Sequence, residues 1–171
     1  MNALECRRVT PELAGPLAEL FKALALAGDA RHFHPHALDE DEAARVARYR
    51  GDDLYYVVTE GSSVLAYAML RGWDEGYDVP SLGIAVHPEV RTSGLARMFM
   101  EFLHASARRR GALRVRLKVY RDNASALRLY RQLGYEFDGE EDGQLVFEPL
   151  RRVGIVLAEE RDDGSPGVPP S

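Results

Sequence analysis

Apolar residues recur along this chain with two different periods, and the switch between them marks its elements. Leu13, Leu17, Leu20, Phe21 and Leu24 follow the three-and-four spacing of one helical face. Thr10 and Pro11 supply a cap and a first-turn proline, and Gly28 ends the run. Asp39 caps a second helix that reaches about Tyr49. Leu95, Met98, Phe99, Phe102 and Leu103 form the stripe of a third helix over residues 94–110, with Arg108 to Arg110 at the negative end of its dipole. Ala126, Leu129, Tyr130 and Leu133 do the same for a fourth over 123–133, which Gly134 closes. Elsewhere the period is two. Leu113, Val115, Leu117 and Val119 alternate with Arg114, Arg116, Lys118 and Tyr120. Short β-branched and aromatic runs predict further strands at 4–9, 54–59, 63–70, 81–87, 135–137 and 145–150, and one more at 153–157. The order β, α, α, β, β, β, α, β, α, β, β predicts an α+β fold, a mixed sheet with helices packed on it.

A length of 171 residues suits one domain, over 1–158, and the charged, Pro/Gly-rich stretch 159–171 is expected to be a disordered tail. Composition narrows the classes. A formal net charge of -5 disfavours a nucleic-acid partner. No stretch approaches the roughly 20 apolar residues of a membrane span, and residues 1–10 lack the apolar run of a secretion signal. Cys6 is the sole cysteine, which excludes an intrachain disulfide. A cytoplasmic protein is expected.

Candidate chemistry concentrates between Ser81 and Phe137. The run from Ser81 to His87 reads as a strand that Pro88 stops. Arg91-Thr92-Ser93-Gly94-Leu95-Ala96 then turns straight into a helix. N–H groups at a helix start are unpaired and the dipole adds to their field, so such a turn is a ready anion site. Gly94 and Ala96 let a phosphate approach the backbone, and Arg91 adds charge. The alternative is an ordinary β-to-α turn. The Gly-Lys-Ser/Thr ending of a triphosphate loop and the spacing of a dinucleotide fingerprint are both absent. Downstream, Asn123 reads as a helix N-cap and Tyr130 as a core position of its stripe.

Together these stretches resemble the GNAT superfamily of acyl-CoA-dependent N-acetyltransferases. The family's pyrophosphate loop, [Q/R]-x-x-G-x-[G/A], is matched from Arg91 to Ala96, with Thr92 where glycine is commonest. Its N-x-x-A-x-x-x-Y-x-x-x-G-[F/Y] segment is matched from Asn123 through Ala126, Tyr130 and Gly134 to Tyr135. The resemblance implies a mostly antiparallel twisted sheet of about six to seven strands, flanked by about four helices and splayed between the fourth and fifth strands. Acetyl-CoA would be the co-substrate, with no metal. Its pantetheine arm would lie in the splay against backbone groups near Ala85 and Val86, one of which would polarise the thioester carbonyl. Its pyrophosphate would sit on Arg91, Thr92, Ser93, Gly94, Leu95 and Ala96. Asn123, Ala126 and Tyr130 would line the arm, and Tyr130 would serve the leaving thiolate as its acid.

The acceptor amine must lose a proton before it attacks, because a lysine-like amine has a pKa near ~10.4. His87 and Asp78 are the first candidate bases, and Glu75 and Asp74 could also reach the acceptor ammonium. By the resemblance, the segment carrying His34 and His36 would wall the acceptor pocket. Trp73, Glu75 and Tyr77 would form a second wall, with flat rings for stacking or for a cation. His32, His34 and His36 alternate and on an extended chain point to one side, but no Cys, Asp or Glu neighbour completes a metal site. The expected activity is direct transfer, in a ternary complex, of an acetyl group to a primary amine, with a small amine or amino sugar favoured. Alternatives are a protein α-amino group, a lysine side chain, or a non-catalytic acyl-CoA sensor, against which Asn123 and Tyr130 weigh. No nucleic-acid or membrane partner is expected, and a strand at 153–157 leaves a homodimer open.

Overall fold

The computed structural model describes residues 2–149, so the expected strand at 153–157, the tail at 159–171 and the boundary between domain and tail lie outside the described residues. Within them the order of elements is the one the periodicity predicts: β1 (Leu4–Arg8), α1 (Ala14–Leu26), α2 (Glu40–Arg48), β2 (Leu54–Glu60), β3 (Ser63–Arg71), β4 (Ser81–Val86), α3 (Leu95–Arg109), β5 (Leu117–Val119), α4 (Ala124–Gln132), β6 (Tyr135–Glu141) and β7 (Gln144–Pro149). No helix among the described residues is long and apolar enough to cross a membrane.

The strands form two antiparallel sheets, β1-β2-β3-β4 and β5-β7-β6. A single parallel bridge, Ser81 to Arg116, joins β4 to β5. Side-chain alternation then builds a core on each face. Leu54 and Val58 of β2, with Ala66, Ala68 and Leu70 of β3, pack under Phe99, Met100 and Leu103 of α3. Tyr55 and Val57, with Tyr67 and Met69, pack under Leu17, Leu20, Phe21 and Leu24 of α1 and Val46 of α2. A one-residue slip would exchange the side chains of the two faces, so register is fixed from either side.

Two elements differ from their sequence expectation. The alternating run at 113–120 is strand only over Leu117–Val119, and Leu113 is 47% exposed while Val115, Leu117 and Val119 are buried. A strand needs a partner, and β7 supplies one only there, pairing Leu117 with Phe147 and Val119 with Leu145. Conversely, the last hairpin is longer than expected. Asp142 and Gly143, with φ of 50° and 76°, form a tight turn that lets pairing run out to Glu141 and Gln144.

Phe99 is fully buried at the centre of the α3 core. Phe99→Ala is expected to lower unfolding free energy by about 3–5 kcal/mol, read as a drop in the urea midpoint with an unchanged slope.

Candidate active site

β4 is paired with β3 along its whole length but with β5 only at its start. Leu82 N–H donates to Arg116 O (2.7 Å), and Arg116 N–H donates to Pro80 O (2.9 Å). Beyond that point the strands part. Backbone groups alternate along a strand, and His87 N–H, on the other side, donates to Leu65 O (2.8 Å). The phase is thus fixed: Ile84 and Val86 present their N–H and C=O to the opening, whereas Ala85 turns its own toward Tyr67 of β3. Of the two residues expected to hold a pantetheine arm, Val86 faces the cleft and Ala85 does not. Ile84 takes its place, one residue earlier, because the alternation could be phased only from the observed bonds.

At the far end of β4 a short 3-10 turn, Pro88–Val90, leads through Arg91 into α3. Thr92 and Gly94 both have positive φ, 65° and 83°. The first helical bond runs from Met98 N–H to Gly94 O (3.1 Å), which leaves the N–H groups of Leu95, Ala96 and Arg97 directed out of the helix start. Ser93 donates its hydroxyl to Val90 O (2.6 Å) and shapes the turn. No Cβ would meet any atom within 4 Å at Gly94, so the space before the helix is open. The Arg91 side chain turns elsewhere. It donates to Val86 O from Nε (3.3 Å) and Nη2 (3.2 Å) and pairs with Asp29. It therefore occupies the Val86 carbonyl and leaves Val86 N–H and Ile84 as the free backbone of the cleft.

Across the cleft, Asn123 caps α4, its Oδ1 accepting from Ala126 N–H (3.4 Å). Tyr130, two turns on, is 8% exposed and packs its ring 5.9 Å from that of Tyr135. Burial pushes the Tyr130 phenol up to about 12. The group thus keeps its proton throughout the neutral range.

The connection from α1 to α2 runs along one face of this cleft. Asp29 holds Arg91 at the phosphate-loop end. His32 Nε2 lies 3.0 Å from Asp122 Oδ1, and His34 Nε2 meets the Tyr120 hydroxyl. Pro35 O accepts from Arg71 (3.3 Å) at the other end. Phe33 lies over Gly83, where a Cβ would come within 3.5 Å of its ring. Residues 29–36 therefore form a strap with bonds to both lips. Beneath its Pro35 end opens a cavity of about 880 Å³, lined by His32, His34, Arg71, Glu75, Tyr77, Asp78 and the start of β4.

The histidines do not point to one side as an extended chain would require. A bend at Pro35 and His36 sends His36 inward, where its Nε2 lies 2.8 Å from the Tyr67 hydroxyl and its ring packs on Phe21. Burial depresses its pKa, because the charged imidazole would be desolvated. Among the described residues no group of three or more His, Cys, Asp or Glu side chains is placed to hold a metal ion.

His34, Glu75, Tyr77 and Asp78 thus share one cavity, and His36 and Trp73 stand outside it. The Trp73 ring packs against the α3 core, with the Arg110 guanidinium 5.1 Å from its centre. His87 is also elsewhere. Its Nδ1 accepts from Glu89 N–H (3.2 Å), capping the 3-10 turn, and it lines a separate groove beside α1. The functional pattern in the sequence did not reveal Arg71, Ile84 or Asp53. Asp53, 4% exposed, accepts from the N–H groups of Gly72 (2.8 Å), Trp73 (2.9 Å) and Asp74 (3.3 Å). Asp74 in turn accepts from Asp52 N–H (2.7 Å) and from the Tyr49 hydroxyl, which holds its carboxyl below the usual range. The cavity wall at 72–78 is pinned by these bonds to the start of β2. Its only sequence signal is an acidic pair, Asp52-Asp53, just ahead of an apolar strand. Asp53→Ala would orphan up to three buried or half-buried N–H groups, and a loss of about 1–3 kcal/mol in stability is expected in a denaturant titration.

Residues 18–135 match the sequence profile of the Acetyltransferase (GNAT) family, more than half of the chain. Many solved structures share the fold, among them the following three. The PaiA N-acetyltransferase of Thermoplasma acidophilum, in complex with coenzyme A, superposes with a TM-score of 0.70 at 15% identity, covering 86% of this chain and 98% of that one. The GNAT domain of PAT from S. lividans gives 0.72 at 18% identity, over 85% and 89%. The ribosomal-protein-S18-alanine N-acetyltransferase of Escherichia coli gives 0.66 at 19%, over 88% and 94%. The splayed strands, the turn at Arg91–Ala96 and the Asn123–Tyr130 helix all lie within the matched residues, and the chain belongs to the GNAT family of acetyl-CoA-dependent N-acetyltransferases.

Proposed function

We propose that the chain moves the acetyl group of acetyl-CoA directly to the primary amine of a small molecule held in the cavity under the strap. The supporting observation is the position of that cavity. It opens against Ser81, Leu82 and Gly83, where the paired and parted stretches of β4 meet, and residues of the strap and the pinned 72–78 loop line it. Such a chamber suits an acceptor that enters whole. The backbone of Ile84 and Val86 would hold the pantetheine arm as an added strand, and the N–H groups of Leu95, Ala96 and Arg97 would receive the pyrophosphate.

The chemistry divides among few groups. The acceptor ammonium loses one proton to Asp78 or Glu75, which line the cavity, or to water. The amine lone pair then forms the C–N bond as the C–S bond breaks, and the proton shed by the nitrogen ends on the sulfur. Val86 N–H stabilises the charge that develops on the thioester oxygen. Tyr130 would face the sulfur. A phenol at about 12 is a weaker acid than the thiol being formed, near ~8.5, so its part is to donate a hydrogen bond to the nascent thiolate. His87 serves the turn at Pro88 and has no part in this scheme.

A second reading has its own support. Ribosomal-protein acetyltransferases are among the structures this chain resembles in fold, and Tyr77 is 63% exposed at the cavity rim, where a peptide could lie across it. Thiol release measured with a panel of small amines and of N-terminally free peptides separates the two: faster turnover of every peptide than of any small amine would reverse the preference. Coenzyme binding with no release for any amine would point to a sensor. Tyr130→Phe is expected to lower kcat about tenfold to a hundredfold while coenzyme Kd stays within about twofold; an unchanged kcat would remove the hydroxyl from the reaction.

A further inference from the structure

The charges that line the cavity are not all accounted for by one another. Arg116 pairs with Glu141. Lys118 pairs with Glu141 (3.0 Å) and Asp142 (3.5 Å). Both cations are thereby neutralised on the β5–β6 side. Arg71 is different. It ends β3, and the alternation that sends Ala68 and Leu70 to the α3 core sends Arg71 to the strap side with Tyr67 and Met69. Its guanidinium makes one hydrogen bond, to the neutral carbonyl of Pro35 (3.3 Å), and touches no carboxylate among the described residues. A guanidinium carries five N–H donors in a planar fork, so most of its capacity is unused.

Glu75 and Asp78 line the same cavity, and among the described residues neither has an ion-pair partner. Neither forms an ion pair with Arg71, and the loop that carries them is fixed by Asp53 at its first three residues and by Asp74 to the start of β2. Opposite charges are thus held in one chamber without meeting. The ligand that complements this arrangement carries both charges itself. An ammonium would lie toward Glu75 and Asp78, and a carboxylate would lie in the fork of Arg71, whose planar donors match two carboxylate oxygens.

Resting on the small-molecule function proposed above, we infer that the acceptor is an amino acid, its carboxylate held by Arg71 while its amine receives the acetyl group. A neutral amino sugar would leave the guanidinium unanswered, and a simple diamine would set a second cation against it.

Matched pairs test this: free amino acids against the amines made by removing their carboxylate, each measured for thiol release from acetyl-CoA. The amino acid of at least one pair should exceed its amine in kcat/KM by about tenfold or more. Arg71→Gln should raise KM for that amino acid by about tenfold, change kcat by less than about twofold, and narrow the gap within the pair. Arg71→Lys, which keeps the charge and loses the fork, should fall between. Equal rates within every pair, or a preference that survives Arg71→Gln, would overturn the assignment while leaving the acetyltransferase function standing. Calorimetric titration of the same pairs into protein saturated with coenzyme A reads the site without turnover. Tighter binding of the amino acid, weakened by Arg71→Gln, supports the assignment even where no thiol is released; if, in a parallel titration, peptides with blocked carboxyl ends bind and no amino acid does, the assignment is rejected in favour of a protein acceptor.

Discussion

The architecture depends on one half-satisfied strand. β4 fills every backbone position toward β3 and only its first toward β5. An edge of unpaired N–H and C=O groups inside a sheet is ordinarily a liability, because each group seeks a partner. Here the liability is confined to Ile84 and Val86, and Arg91 already covers one carbonyl. Everything else that defines the site is placed relative to this opening: the turn before α3 at its far end, α4 on the opposite lip, and the cavity where pairing ceases. Two separate cores keep the opening from collapsing. One lies under α1 and α2, the other under α3 and α4, and β4 contributes to both.

The strap and the pinned loop give the site its shape with little apolar burial. Their bonds are ion pairs and hydrogen bonds to side chains on either lip: Asp29 to Arg91, His32 to Asp122, His34 to Tyr120, and Asp53 to three successive N–H groups. The exposed pairs among them, those of Asp29, His32 and His34, contribute little to global stability, typically about 0–1 kcal/mol each, while the buried Asp53 contributes more. Their effect is positional. They hold polar walls at fixed separation from the reacting centre, which is what selectivity among amines requires.

Most of the fold was legible in the sequence, because two-sided burial makes the period-two and period-3.6 patterns nearly free of conflict. Leu95, Phe99 and Leu103 could hardly be anything other than one face of a helix. The local shape of the proposed coenzyme half was legible for a related reason: Arg91 to Ala96 and Asn123 to Tyr130 are local, and each motif sits within one turn and one helix. The acceptor half was not. Which backbone groups face the opening depends on strand phase, so Ala85 and Ile84 cannot be told apart without the bond from Leu82 to Arg116. Trp73 and Tyr77 are four residues apart in one loop, yet one joins the core and the other the rim. Asp53 and Arg71 are eighteen residues apart, at the two outer ends of one hairpin, and no spacing rule connects them.

Thr92 is a β-branched residue in a conformation that favours glycine. Its φ of 65° belongs to the left-handed region, where a β-branched side chain is rare. Holding it there costs about 1–3 kcal/mol, which the surrounding turn must offset. Glycine would visit the same conformation freely, but it would also leave it freely. A threonine in this position narrows the set of shapes the turn can sample before any anion arrives. The turn thus exchanges some folding stability for rigidity, and an anion held there, as proposed for the coenzyme pyrophosphate, would spend less of its binding energy on ordering it.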